Sequence, residues 1–406
     1  MQSKKVLISG ASIAGPTLAY WLHKYGFEVT VIERSPELRM GGQNIDIRDA
    51  ARKVTEKMGI TNQILAANTG ELGIQFIDDK NVVRASFPAT GADSFTSEME
   101  IIRGDLVNIL YQQTKDNVNY IFGKYITAID DQVKGVTVTF SDGQQAEFHL
   151  VIAADGVRSK TRELMFGTEA ELKYIGLYNA YLTIPKTKTD TNWARWYNAP
   201  GSRVILLRPD NEGNTRASFS FLAKDANYRN LSREDQKKFL IMKLTGAGWE
   251  APRLSEAIAD SKDVYFDAVS QVKAPRWSKG RLAMIGDAAY CPTPISGMGT
   301  SLAILGAYML AGELAQNVDH SKAFEAFETK LRPYVTTVQK LPPGAPWIVH
   351  PKSAFGVKVV NMIASIAASE FVKQIGKIFK SKTEKPKKEE FLLPDYDSLV
   401  SVKYRY

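Results

Sequence analysis

The sequence is poor in the residues and runs that build disulfides, metal sites and membrane spans. Its 406 residues include one cysteine, Cys291, so no disulfide can form within the chain, and we predict a protein of the reducing cytoplasm. Its four histidines show no metal-ligand spacing, and we predict no metal. No apolar run is long enough to cross a bilayer, and the short apolar stretch after Lys5 is better explained as a strand than as a targeting signal.

Signatures of several enzyme and binding classes are missing too. The chain has no P-loop, no Ser-His-Asp signature and no paired carboxylates typical of acid–base catalysis. Its net charge is +8, partly because lysines cluster in residues 373–388. A basic tail can meet a membrane surface or a nucleic acid, but a solvated tail is the simpler interpretation. Since no nucleic-acid-binding motif accompanies the tail, we predict no nucleic-acid partner, and we expect a monomer.

The first forty residues carry the clearest pattern. Residues 4–9 predict an apolar strand, residues 16–25 a helix and residues 28–33 a second apolar strand, with a glycine-rich turn after the first strand. This order, with Glu33 closing the second strand, is the dinucleotide-binding fingerprint. We therefore predict a pyrophosphate site at the start of the helix, where free N–H groups and the helix dipole favour anions.

Each position of the turn has a physical reason. Gly10 permits the tight turn, Gly15 lets the helix pack closely on the strand, and Glu33 is placed to accept a hydrogen bond from a ribose hydroxyl. Ser12 stands where the pattern has its second glycine, and its hydroxyl can itself donate to a phosphate. The alternative is an ordinary βαβ turn that happens to be rich in glycine.

Two later segments repeat the same design. One apolar strand ends in Asp155-Gly156, and another ends in Gly286-Asp287. Because ligands of doubly wound sheets lie at the carboxyl ends of the strands, we predict that these segments and the first turn converge on one extended dinucleotide. Gly297 and Gly299 open an apolar helix whose dipole suits the negative charge of a reduced ring system. The alternative for Asp287 is a plain helix N-cap.

The rest of the chain predicts a second sheet and several helices. Antiparallel strands are predicted at 178–184, 192–198, 202–208 and 215–222, a hairpin at 73–77 and 82–87, and a β-meander at 119–125, 136–140 and 145–149. Helices are predicted at 50–68, 232–246, 253–260, 300–316, 321–341 and 354–380.

The three motifs in this order resemble the class A FAD-dependent monooxygenases of the para-hydroxybenzoate hydroxylase type, over residues 4 to about 340. Residues 277–301, WSKGRLAMIGDAAYCPTPISGMGTS, are similar to that family's GD segment. Within the family the chain most resembles the tetracycline destructases, through ASIAGPTLAYWLHKYGFEVTVIER, GGQNIDIR, EIIRGDLV and IGDAAYCPTPISG. The helix after residue 350 is similar to the extra C-terminal helix of one destructase subgroup.

The resemblance implies an α/β fold with a Rossmann-like FAD-binding domain, an antiparallel-sheet substrate domain and C-terminal helices. It assigns 1–72, 98–174 and 273–340 to the FAD domain, 73–97 and 175–272 to the substrate domain, 341–380 to a bridging or capping helix, and 381–406 to a tail. A membrane-surface helix is the alternative for residues 353–380.

The resemblance also implies roles for individual residues. The cofactor-binding set is Gly10, Ser12, Ala14, Gly15, Glu33, Arg34, Arg39, Asp46, Arg103, Asp155, Gly156, Asp287, Pro294, Gly297, Met298 and Gly299. Within this set Arg39 is assigned to NADPH, and Asp155 and Gly156 to FAD and NADPH together. The substrate-binding set is Arg195, Arg216 and Phe219, and the alternative for the two arginines is a plain solvated position on a strand.

The implied chemistry is hydroxylation of a tetracycline through a C4a-hydroperoxyflavin formed from FAD, NADPH and molecular oxygen. The flavin drives this reaction, so no dedicated catalytic side chain is expected when the substrate is already an enolate or phenolate. Alternatives are a hydroxylase or epoxidase of the same fold with another phenolic substrate, a flavin-dependent reductase that uses no oxygen, and a flavin-binding protein without enzyme activity.

Overall fold

The chain folds into strands and helices, in a computed structural model that describes residues 4–89, 99–262, 264–369 and 391–399. The strands are β1 (Lys5–Ser9), β2 (Glu28–Glu33), β3 (Asn44–Asp46), β4 (Gly73–Ile77), β5 (Val83–Pro88), β6 (Glu100–Ile102), β7 (Asn119–Phe122), β8 (Ile126–Asp131), β9 (Val136–Phe140), β10 (Gln145–Phe148), β11 (Leu150–Ala153), β12 (Glu171–Pro185), β13 (Ala194–Ala199), β14 (Arg203–Pro209), β15 (Asn214–Leu222), β16 (Tyr265–Lys273), β17 (Ser278–Lys279) and β18 (Leu282–Met284). The α-helices are α1 (Ala14–Lys24), α2 (Ala50–Lys57), α3 (Thr61–Ala66), α4 (Arg103–Gln112), α5 (Lys160–Phe166), α6 (Arg233–Leu244), α7 (Ala251–Asp260), α8 (Asp287–Tyr290), α9 (Gly299–Gln316), α10 (His320–Val338) and α11 (Ala354–Ala368), and short 3-10 turns span Asn227–Asn230, Pro294–Ser296 and Asp397–Leu399.

The first sheet has six strands in the order β17-β18-β11-β1-β2-β7. All its pairs are parallel except β17 with β18. Its central strands are buried on both faces, which explains their continuous apolar runs. The predicted βαβ unit is confirmed, and β1, β11 and β18 lie side by side, so their carboxyl ends share one edge.

Two sequence predictions in this part of the chain were wrong. Residues 119–122 do not begin the meander but pair in parallel with β2, and the strand β8, which was not predicted, forms the meander with β9 and β10. The helix predicted at 50–68 is two helices, because Gly59 at φ +72° ends the first. Pairing between distant strands leaves no local periodicity in the sequence, so the partner of β7 could not be deduced.

The second sheet has seven strands in the order β16-β12-β15-β14-β13-β4-β5. Its pairs are antiparallel, as predicted, except that β4 runs parallel to β13. Helices α6 and α7 cover one face, where Ala217 and Phe219 of β15 join a buried apolar cluster. Since side chains alternate along a strand, Arg216, Ser218 and Ser220 project from the opposite face, which we call the open face.

Helix α9 is buried along almost its whole length, as predicted. It packs between α1 and α10. Two of its glycines let tyrosine side chains lie directly against the helix. A Cβ on Gly306 would overlap the hydroxyl of Tyr290, and a Cβ on Gly312 would overlap the ring of Tyr396. The helix therefore ties the N-terminal βαβ unit to the last described segment of the chain.

The C-terminal helix is confirmed from Ala354 to Ala368, and residues 370–380 of the prediction lie outside the described residues. Its outer side is apolar, with Phe355, Met362, Ile363 and Ile366 all more than half exposed. Among the described residues, no helix combines the length and the apolar character needed to cross a membrane.

Residues 391–399 return to α9. The ring of Tyr396 is 2% exposed, and its hydroxyl donates to Glu313, a buried carboxylate on α9. Tyr308 donates from its hydroxyl to the carbonyl oxygen of Pro394 at 2.9 Å. This segment is therefore part of the buried cluster that also contains the first sheet and α9.

We expect the variant Tyr396→Ala to lose about 3–5 kcal/mol of free energy of unfolding, because a buried aromatic ring leaves a cavity against Gly312. Urea denaturation followed by fluorescence measures the loss. The control is Val318→Ala, since Val318 is 93% exposed and should leave the transition unchanged. Equal midpoints for the two variants would show that residues 391–399 do not contribute to the core.

Candidate active site

The three sequence motifs pack directly on one another, which is the arrangement that the prediction of a shared site requires. A Cβ on Gly10, which has φ +112°, would lie 2.5 Å from the carbonyl oxygen of Ala154, immediately before the Asp155-Gly156 pair. A Cβ on Gly286, which has φ +59°, would lie 3.0 Å from the Cβ of Ala14 on α1. Close backbone contact at both places brings the carboxyl ends of β1, β11 and β18 into one site.

The first turn is held from both sides. Glu33 accepts hydrogen bonds at 3.0 Å from the backbone N–H of Ala11, through Oε2, and of Ser35, through Oε1. A Cβ on Gly15 would overlap the carbonyl oxygen of Gly10, so only glycine fits at the start of α1. No side chain of the described residues caps α1, and its first turn has no acidic residue. The helix start is therefore available to an anionic group.

Arg103 lies against this turn. Its Nη1 donates to Ser12 Oγ at 3.1 Å, and its Nη2 donates to the carbonyl oxygens of Arg39, at 2.7 Å, and Gly41. Burial, together with the nearby charge of Arg39, lowers the pKa of Arg103 to about 10, so the guanidinium remains positive at neutral pH. A half-buried cation beside a helix start is a suitable phosphate-binding arrangement.

The two residues of the Asp155-Gly156 pair have different surroundings. The Asp155 carboxylate accepts hydrogen bonds from Ser159 Oγ and, at 3.2 and 2.9 Å, from the backbone N–H and Oγ1 of Thr161, at the start of α5. Burial raises the pKa of Asp155, and these hydrogen bonds oppose the rise. Gly156 has φ +86°, and no atom of the described chain lies within 4 Å of its Cβ position. Asp155 thus holds the turn, and Gly156 presents its backbone to the site.

Asp287 follows Gly286 at the start of α8. Gly286 is the N-cap residue of α8, so the alternative of a plain N-cap for Asp287 is wrong. The Oδ1 atom of Asp287 would lie 3.8 Å from a Cβ on Gly299, the first residue of α9. Burial raises the pKa of Asp287, and a hydrogen bond from the Cys291 thiol opposes this rise. A carboxylate at the start of a buried helix, beside an open loop, can accept hydrogen bonds from a polyol.

The loop between α8 and α9 contains a strained residue. Thr293 has φ +88° and ψ 155°, a combination that is almost confined to glycine. Its Oγ1 is buried and has no hydrogen-bond partner within the described ranges. Gly297, at φ +63°, has open space beside its Cβ position. A strained loop with an unpaired hydroxyl is the kind of segment that a bound ring system completes.

The remaining predicted cofactor residues lie on loops, apart from Asp46, the last residue of β3. Arg34 and Arg39 are exposed, and Asp46 pairs with Arg48, Oδ2 to Nη2, at 2.9 Å. Pro294 is exposed and Met298 is half-buried, on the loop that leads into α9. These positions surround the convergent motifs.

The open face of the second sheet looks toward these motifs. Arg216 Nη1 lies 3.5 Å from the carbonyl oxygen of Gly42, in the loop that Arg103 contacts. Ile295, from the loop before α9, packs against an apolar cluster that includes Leu177. Arg158, from the segment after Gly156, pairs with Asp267 of β16, Nη2 to Oδ1, at 2.7 Å. A compound bound between the sheet and the α9 loop would therefore lie beside the cofactor site.

Comparison with known proteins decides the family. The FAD binding domain family matches residues 3–340. The flavin-dependent monooxygenase eupH of a Phoma species is 38% identical over 405 residues, which span 91% of this chain and 93% of that protein.

The chain belongs to the class A FAD-dependent monooxygenases. Its fold is similar to the crystal structures of two tetracycline destructases. Tet(55) is 33% identical with a TM-score of 0.79, and Tet(51) is 32% identical with a TM-score of 0.78. Each likeness covers 97% of this chain and 99% of the other. The fold class inferred from the sequence is confirmed.

Two predicted substrate residues of this monooxygenase do not face the site. Phe219 is fully buried in the cluster under α6 and α7. Arg195 is 3% exposed on that same helix-covered face, where it pairs with Asp190 at 2.8 Å and lies over the ring of Trp249. Both predictions were wrong, because composition does not tell which side of a strand the helices cover. Arg216 lies on the open face, paired with Asp210 at 3.0 Å.

Sequence reasoning missed several residues of the open face. Arg208 of β14 stands opposite Arg216 and binds Glu71 through two hydrogen bonds, at 2.7 and 2.9 Å, and Glu100 through a third. Ser220 is bonded to His350, which comes from a different part of the chain. Strand alternation groups Arg216 with Ser220, and this signal was available, but the partner of Ser220 was not.

Two adjacent glycines allow a matched test of Arg103. Gly42 has φ +143°, and its Cβ position lies 2.5 Å from Arg103 Nε, whereas no described atom lies within 4 Å of the Cβ position of Gly41. We expect Gly42→Ala to displace the guanidinium and to weaken FAD binding about ten-fold or more, as the loss of a charge-assisted hydrogen bond would. Flavin fluorescence titration of the apoprotein measures the affinity. Gly41→Ala is the control and should bind like the wild type; equal weakening in both variants would refute this role of Arg103.

His350 predicts a specific acid sensitivity. Burial lowers its pKa from 6.5 to about 4, against the opposing effect of a hydrogen bond with Pro346. Because the unfolded chain then binds the proton more readily than the folded chain, protonation of His350 favours unfolding. The folded state is unaffected above about pH 6.5 and loses stability as the pH falls toward 4. Between pH 7 and pH 4 we expect the wild type to lose about 3 kcal/mol more unfolding free energy than His350→Gln. Urea denaturation at each pH measures both, and identical losses would contradict the assignment.

Proposed function

We propose that this monooxygenase uses FAD, NADPH and oxygen to hydroxylate, and so inactivate, antibiotics of the tetracycline class. The observation that carries the proposal is the likeness to the tetracycline destructases Tet(55) and Tet(51), which spans 97% of the chain. At 97% of the chain it continues well past residue 340, where the match to the FAD binding domain family ends. The likeness therefore extends over the second sheet as well as over the cofactor site.

The roles proposed for the cofactor residues are those that the family resemblance implies, and the geometry of the site supports them. Glu33 accepts from the adenosine ribose, and Ser12, the start of α1 and Arg103 hold the pyrophosphate. Asp287 binds the ribityl chain, and residues 294–299 line the ring system. Bound FAD supplies the redox chemistry and the activation of oxygen. With FAD bound, the start of α9 would stabilise negative charge on the ring system.

The chain's own contribution to the reaction is orientation and exclusion of water. The open face forms one wall of the substrate space and the α9 loop forms the other. An enol or phenol in that space is already electron-rich at carbon, so positioning it over the ring is the main requirement. Helix α11 packs on β4, β5 and β13, at the edge of the same sheet, and we propose that it caps the entrance.

We propose that NADPH binds only transiently. The described residues contain one parallel sheet with one dinucleotide turn, and FAD takes that place. The nicotinamide must therefore approach from the surface, where exposed Arg39 can meet its phosphate. We propose in addition that the protein acts as a cytoplasmic monomer, in keeping with its single, buried thiol, Cys291.

The test follows NADPH absorbance, oxygen and the drug chromophore together in the purified holoenzyme. We expect tetracycline to accelerate NADPH oxidation, with oxygen consumed in equal amount and a product heavier by one oxygen atom. A hydrogen peroxide assay is the control, because a drug that only triggers flavin reduction releases one peroxide for each NADPH.

Three other results would contradict the proposal in different ways. A flavin-containing protein that does not act on tetracycline but hydroxylates another polycyclic phenol would change the proposed substrate and keep the enzyme class. This is the second candidate, because the relative eupH is named only as a flavin-dependent monooxygenase. Turnover without oxygen would indicate a reductase. A chain that cannot be reconstituted with FAD would refute the cofactor site itself.

A further inference from the structure

Ser220 and His350 form a hydrogen-bonded pair on the open face. Ser220 lies on β15, on the same side as Arg216 and Ser218, and is half-buried. His350 is 4% exposed and comes from the segment that precedes α11. Its Nε2 lies 2.9 Å from Ser220 Oγ, and its Nδ1 lies 2.9 Å from the carbonyl oxygen of Pro346.

The partners of the imidazole determine which way each hydrogen bond runs. A carbonyl oxygen can only accept, so Nδ1 carries the hydrogen and donates to Pro346. The buried ring is neutral at physiological pH, so Nε2 has no hydrogen and can only accept. Ser220 must therefore donate its one hydrogen to His350, and its oxygen is left with lone pairs alone for any other partner.

Ser220 lies on the open face, where its remaining lone pairs have no partner among the described residues. Its cross-strand neighbours are Asn179 and Val204, on β12 and β14. Asn198, next along the same row, donates from Nδ2 to the carbonyl oxygen of Val349 at 2.7 Å, which ties the segment holding His350 to the sheet. No second partner of Ser220 Oγ is present among the described residues, and the face it projects from looks toward the α9 loop.

We propose that Ser220 is a specificity-determining hydrogen-bond acceptor for a hydroxyl or N–H group of the substrate, with His350 as its positioning residue. The proposal rests on the proposed function only in placing the substrate on the open face. A substrate that offers an acceptor alone, such as a methyl ether, would have to take the Ser220 hydrogen and leave buried Nε2 of His350 unpaired, which is costly. The site therefore selects phenols, enols and amides over their alkylated forms.

The first experiment examines the pair itself, in the FAD-loaded enzyme and without turnover. Nitrogen-15 NMR of the four histidines, assigned by loss of one signal set in His350→Gln, reports which nitrogen of His350 carries the hydrogen. We expect Nδ1 protonated and Nε2 unprotonated, with Nε2 shifting in Ser220→Ala. A protonated Nε2 would reverse the polarity and overturn the proposal.

The second experiment measures binding of 2-naphthol and 2-methoxynaphthalene by perturbation of the flavin spectrum. We expect the wild type to bind the phenol about three- to ten-fold more tightly than the ether, and Ser220→Ala to lose that preference. His350→Gln should keep most of it, because the glutamine oxygen can accept from Ser220 as Nε2 does, whereas His350→Leu should lose it. The FAD content of each variant is measured alongside, so that affinities are compared at equal flavin loading.

The two experiments separate this proposal from the tetracycline assignment, because the probe pair contains no tetracycline. A preference for the phenol that disappears in Ser220→Ala and His350→Leu supports the acceptor role even if tetracycline is not a substrate. Equal affinity for both compounds in the wild type, no binding of the phenol, or equal losses for both compounds in Ser220→Ala would each overturn it. The last result is the one a merely structural role would produce.

Discussion

The parallel pairing of β1, with β2 on one side and β11 on the other, is the constraint on which the rest of the structure depends. It brings the glycine-rich turn to the same sheet edge as the Asp155-Gly156 pair, and β18 adds Asp287 on the far side of β11. The approach is so close that Gly10 and Gly15 have no room for a side chain, and a Cβ on Gly286 would lie only 3.0 Å from the Cβ of Ala14. One sheet edge thus assembles a cofactor site from segments more than a hundred residues apart.

The loop at residues 39–42 is one of the places where the second sheet meets the cofactor turn. Arg103 contacts carbonyl oxygens at residues 39 and 41, and Arg216 reaches the carbonyl oxygen of Gly42 from the other sheet. Two arginines therefore hold the same backbone segment from opposite sides. Because backbone carbonyls carry these contacts, the distance between cofactor turn and open face is set with little dependence on side chains in the loop.

Much of the fold could be predicted because its signals are local. Each local pattern indicates the structure of its own segment. Examples are the apolar runs of β1, β2 and β11, the glycines of the turns and the apolar surface of α9. The errors about sheet membership and strand faces share one physical cause. Residues 119–122 joined a different sheet from the one expected, and Phe219 and Arg195 faced the helices, because strand partners and covered faces are long-range properties. An alternating strand has two faces, and its own sequence does not say which of them a helix will cover.

The sequence by itself determined the cofactor side of this protein: a dinucleotide turn, two further strand ends that meet it, and membership of a flavin-dependent monooxygenase family. These depend on backbone geometry that only certain residues allow, such as positive φ at Gly10 and Gly286, so the residue types reveal them. Only the tertiary structure decided the arrangement of the second sheet. It left one face open, placed Arg208 and Ser220 on that face, and brought His350 from 130 residues away to within hydrogen-bond distance of the serine. Such contacts form between side chains that folding brings together, and nothing local in the chain encodes them.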